Sequence, residues 1–73
     1  MENTTSYLIK SDPRWNASGI GGCRKVEDLL AEHLHRDELA SIGLRQNYLI
    51  NTANWRPSDA LRQAAAEHLR GNV

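Results

Sequence analysis

Three histidines, one cysteine and two arginine–tryptophan neighbours are the side chains of this 73-residue chain with the most capacity for chemistry. His33, His35 and His68 stand beside Glu32, Asp37 and Glu67, residue types that ligate divalent metals. Their spacing works against a shared ion. Positions two apart on a helix face different ways, so His33 and His35 could meet only if the helix ended between them, and a His33–His68 pair across a helix interface is the one workable geometry. The reading adopted is histidines hydrogen-bonded to backbone or carboxylate, with no metal and no cofactor. Cys23 precedes Arg24 and Lys25 and stands near a helix start, conditions that lower a thiol's pKa. No oxyanion arrangement accompanies it, and so short a chain has little room for an enclosed pocket, so no catalytic residue is assigned and the protein is not expected to be an enzyme.

The loop "SGIGGCRK" places glycines and two cations before a helix, the setting in which backbone amides cradle phosphate. It lacks both the further glycine of a dinucleotide fingerprint and the Gly-Lys-Ser/Thr of a phosphate loop, so residues 16–23 are read as a Gly-rich connector. Arg14-Trp15 and Trp55-Arg56 lie in loop-like contexts beside Pro13 and Pro57. Tryptophan and arginine are over-represented among interface hot spots, so Arg14, Trp15, Trp55 and Arg56 are the candidate partner-binding residues. Tryptophans as lids on a small core are the competing use.

The alternative is DNA binding. "DELASIGLRQNYLI" has the flavour of a helix-turn-helix, with Gly43 at the turn and Arg45, Gln46 and Asn47 offered to base edges. The Ala40–Gly43 spacing is one residue short for that motif. Residues 43–73 carry four arginines against two acids, a mild positive bias. The whole chain has nine basic and nine acidic side chains, which denies it the positive field that drives nucleic-acid affinity.

These side chains must be positioned by a small scaffold. One domain spanning residues 1–73 is expected, with residues 1–4 loose, and at this size a single core contributes only about 3–5 kcal/mol net, which favours a homodimer. One cysteine and an N-terminus without a leader pattern suggest a reduced, cytoplasmic setting, and no apolar run suits a membrane span. Val26, Leu29, Leu30, His33 and Leu34 repeat at helical spacing, which predicts a helix near 24–35. Asp37 as cap and Gly43 as stop predict a short helix near 37–42, and Pro57 or Ser58 opens another near 58–70.

"YLI" occurs twice, at 7–9 and 48–50, and "AEHL" twice, at 31–34 and 66–69. Aromatic and β-branched content predicts short strands near 6–10 and 47–52, and the shared order of the two motifs suggests an internal β-loop-α duplication. The expected fold is therefore α+β and mostly helical, with an all-α bundle, in which 44–52 is helical, as the alternative. The expected function is a small non-catalytic interaction module that binds and modulates a larger protein, a regulator or inhibitor of the kind that bacteria and mobile elements carry. A small metal-binding or thiol protein is the third reading.

Overall fold

The computed structural model describes residues 4–19 and 21–71. Among them are four α-helices, α1 (Thr4–Ser11), α2 (Gly22–His33), α3 (Arg36–Ala53) and α4 (Pro57–Gly71), with a 3-10 turn at Pro13–Asn16 and no strand. The chain is a helical bundle. The α+β expectation and the β-loop-α duplication are both overturned, because the two "YLI" segments lie inside α1 and α3. No helix among the described residues is long and apolar enough to cross a membrane. The loose terminus expected at residues 1–4 lies outside the described residues except for Thr4, which begins α1.

The physical reasons for the two missing strands differ. In α1, Ser6 and Ile9 are buried three residues apart, the spacing of one helix face. Strand propensity spans only about 1 kcal/mol and yields to such packing. Pro13 constrains the residue before it, and Asp12 is extended at φ −73°, ψ 135°, so the proline ends α1 after Ser11 without disturbing what precedes it.

In α3 the buried or half-buried face runs Leu39, Ile42, Gly43, Gln46, Leu49, Ile50. That is a helical period, disguised because a glycine and a glutamine occupy it while Leu44 and Tyr48 point to solvent. Gly43 is no stop: α3 passes straight through it, so the expected short helix at 37–42 and the helix-turn-helix corner do not form. The cap is also two residues earlier than expected. His35 is the N-cap of α3, its N–H donating to Glu38 Oε2 at 3.0 Å, and Asp37 sits in the first turn.

Helices α3 and α4 form an antiparallel hairpin joined by Asn54, Trp55 and Arg56. Gln46 reaches Pro57 near the connection, while Glu38 meets His68 at the far end. Val26, Leu29 and Leu30 of α2 and Ala60, Leu61, Ala64 and Ala65 of α4 close the core with Ile9 and Ile42. The alanines keep α4 thin, which lets larger neighbours interlock against it. The two "AEHL" copies are not equivalent. His33 is exposed at the end of α2, whereas the His68 side chain is 19% exposed within α4.

Candidate functional site

Two loops bring the tryptophans together, and each is braced locally. At the first, Asp12 Oδ1 accepts the backbone N–H of Arg14 at 2.8 Å and so caps the 3-10 turn. The Arg14 guanidinium returns to the same carboxylate, Nε to Oδ1 at 3.1 Å and Nη2 to Oδ2 at 2.9 Å, and also pairs with Glu32 of α2. Those side-chain bonds, with the backbone one, hold Asp12 down to about 2; Asp12 first and then Glu32 raise the pKa of Arg14. The turn is thereby tied to α2, and Trp15 rests half-buried against the core.

At the second loop, Asn54 adopts the left-handed conformation, φ 59° and ψ 33°, which asparagine tolerates better than most residues. The Trp55 N–H donates to Leu49 O at 3.2 Å, and the Arg56 carbonyl accepts the N–H of Ala60 at 2.8 Å. The backbone on both sides of the Trp55–Arg56 peptide is thus fixed, while the Trp55 residue stays 38% exposed.

Trp15, Trp55 and Arg56 line one open cleft of about 560 Å³, with Asp59 and Arg62 of α4 on its wall. Arg62 Nη2 donates to Asp59 Oδ1, whereas Arg62 Nε is out of reach of water and has no hydrogen-bond acceptor among the described residues. A second hollow of about 400 Å³ shares Arg56 and Asp59 and extends to Ser18 and Cys23. Of the four residues expected to bind a partner, three therefore converge. Arg14 does not line the cleft, since it is engaged with Asp12 and Glu32.

The residues considered for base reading are split by the helix. Arg45 Nε bonds Glu67 Oε1 at 2.9 Å and its guanidinium lies 4.9 Å from the Tyr48 ring centre. Gln46 Nε2 donates to Pro57 O at 3.0 Å, and Asn47 is exposed. Successive positions on a helix are about 100° apart, so these three do not form one reading edge.

Cys23 sits in surroundings opposite to the acidifying ones suggested by its neighbours in the chain. Burial, then the hydrogen bond to Glu27 Oε1 at 3.4 Å, push its thiol up, while Arg24 and Lys25 are exposed. Helix α2 does end between His33 and His35, but no group of three or more metal-ligating side chains forms among the described residues. His68 instead approaches Glu38, Nε2 to Oε1 at 3.3 Å.

The Gly-rich connector is shaped by packing. Gly21 caps α2 at φ 93°, and a Cβ on Gly22 would stand 3.0 Å from Ala17 O. Of residues 16–23, Asn16 ends the 3-10 turn and Gly22 and Cys23 open α2, so the connector is loop only at 17–19 and Gly21, with Ile20 outside the described residues.

Sequence reasoning missed Asp59 and Arg62. Their signal was the one-turn spacing from the start of α4, which puts both on the helix face beside Arg56. Leu44 and Tyr48, 74% and 53% exposed, were missed as surface residues because they resemble core. Comparison with known protein families, with curated proteins and with solved structures finds no match for this chain.

Proposed function

We propose that the protein is a non-catalytic interaction module that binds and modulates a larger protein through the Trp15–Trp55 cleft. The observation supporting this reading is that Trp15, Trp55 and Arg56, distant in sequence, line one open cleft. Hot spots combine aromatic area with arginine in pockets that exclude water on binding, and the braced backbone on either side lowers the ordering cost. Burial, which pushes the Cys23 thiol up, supports a non-catalytic reading over a nucleophile.

The test is capture of a partner by immobilised wild type, with Trp55→Ala and Arg56→Ala as controls whose melting temperatures are recorded alongside. Wild type retains a protein that both variants release while remaining folded. A partner held equally by the variants would remove the cleft from the interface, and the absence of any retained protein would count against the module. The homodimer reading is supported by Leu44 and Tyr48, exposed one turn apart on α3. Sedimentation equilibrium of wild type against Leu44→Ser decides it, a monomeric mass for both being the adverse result.

A further inference from the structure

The walls of the cleft say what kind of segment would fill it. Among the described residues Arg56 makes no ion pair and is exposed. Arg62, which also lines the cleft, gives one Nη2 to Asp59 and has its Nε buried away from the opening, so the free donor of the site is Arg56. Asp59 is the one acid lining the cleft, and it is already engaged by Arg62. Two guanidinium groups against one carboxylate leave the site short of one negative charge, between two indole walls.

From this charge imbalance we infer that the cleft takes an acidic peptide segment of the partner, in which a carboxylate pairs with the exposed Arg56 guanidinium and a neighbouring apolar side chain lies against Trp15 and Trp55. The inference rests on the proposed binding role of the cleft. Guanidinium groups match a carboxylate with two parallel N–H···O bonds, which fixes orientation as well as charge. The shape favours a chain over a free small acid, since small-ligand sites enclose most of the ligand and this cleft is open along one side. Nucleic acid is disfavoured by charge: its affinity grows with the number of phosphates neutralised, and this chain has zero formal net charge.

A random hexapeptide library displayed on phage and selected on the full chain tests the proposal. Peptides enriched on wild type are then made synthetically, N-acetylated and C-amidated, and titrated by tryptophan fluorescence. The expected winners share an Asp or Glu beside an apolar residue. Changing that acid to its amide, or Arg56→Gln in the protein, weakens binding at least tenfold, and affinity falls as salt is raised. A thermal melt of Arg56→Gln shows that the fold is retained. Winners that need Trp55 but share no acid, or are indifferent to Arg56→Gln, overturn the acidic segment and leave the cleft as a binding site. Winners indifferent to Trp55→Ala, or no winners at all, overturn both. Tighter binding of a dT oligonucleotide than of the acidic peptides overturns the choice of a peptide.

Discussion

Gly43→Ala is the substitution that separates a continuous α3 from a helix ending at residue 43. At a helix stop, glycine supplies a left-handed conformation that alanine resists, and the change would destabilise. In the structure Gly43 is an interior helical residue with no left-handed φ, and a Cβ built on it meets nothing within 4 Å. Alanine there gains the full helix-propensity difference, about 0.8–1 kcal/mol. For a domain of this size that raises the melting temperature by about 4–8 °C. Gly22→Ala supplies the opposite case within the same protein. Its Cβ would sit 3.0 Å from Ala17 O and 3.1 Å from Ala17 C, and that backbone is held by the Ala17 N–H bond to Arg14 O at 3.1 Å. Overpacking strain of about 1–3 kcal/mol then exceeds any propensity gain, and the variant melts lower. Thermal denaturation followed by circular dichroism at 222 nm reads both. A lowered melting temperature for Gly43→Ala would refute the continuous helix, and a raised one for Gly22→Ala would refute the close approach of the turn to α2.

Leu29→Ala empties a fully buried position and costs about 2–5 kcal/mol, comparable to the whole net stability of so small a core. Its circular dichroism should lack a cooperative melt, and a sharp transition near that of wild type would show that the core lies elsewhere. Asp12 has a folded pKa of about 2, below its unfolded value, so its protection is complete above the ordinary carboxylate range and disappears as pH falls through 2. The stability gap between wild type and Asp12→Asn should close on acidification from pH 5 to 2; a gap independent of pH would separate Asp12 from Arg14. Gln46→Ala loses the bond to Pro57 O and should cost about 0.5–1.5 kcal/mol in urea denaturation. Asn47→Ala, one residue on and exposed, should stay within about 0.5 kcal/mol, so equal costs would place the wrong face of α3 inward.

The legible part of the fold was the part whose buried face is written in large apolar residues. Val26, Leu29 and Leu30 announced α2, and the proline-led, alanine-rich run announced α4 to within a few residues of its observed start and end. Helix α3 was obscured because its inward face spends positions on Gly43 and Gln46, and two of its largest side chains face out. Helix α1 has only eight residues, too few for periodicity to outweigh the strand preference of "YLI". At the site, residue type pointed to the tryptophans and their arginines, but their convergence depends on two loops folding toward α4. Arg14 illustrates the remainder: its type suggested recognition, and only geometry shows it tied to Asp12 and Glu32.

The bracing of the cleft links fold to function more closely than the repeated tetrapeptides do. The pairs Arg45–Glu67 and Glu38–His68 run along the α3–α4 seam, and both carboxylates lie below the usual range, Glu67 through Gln63 and then Arg45, Glu38 through the His35 backbone N–H and then His68. Pairs of this kind contribute little stability individually, but they add to the core packing of Ile42 against Leu61, Ala64 and Ala65 that holds the hairpin in one register. The register sets where Asn54 turns the chain, and so where Trp55 and Arg56 emerge. Under the proposed binding role of the cleft, Glu38→Gln at the far end of the seam should therefore weaken the selected peptides through the position of that turn, and an unchanged affinity in the fluorescence titration would refute it. Glu38→Gln and Arg45→Ala are the variants that separate such positioning from direct contact, since neither residue lines the cleft.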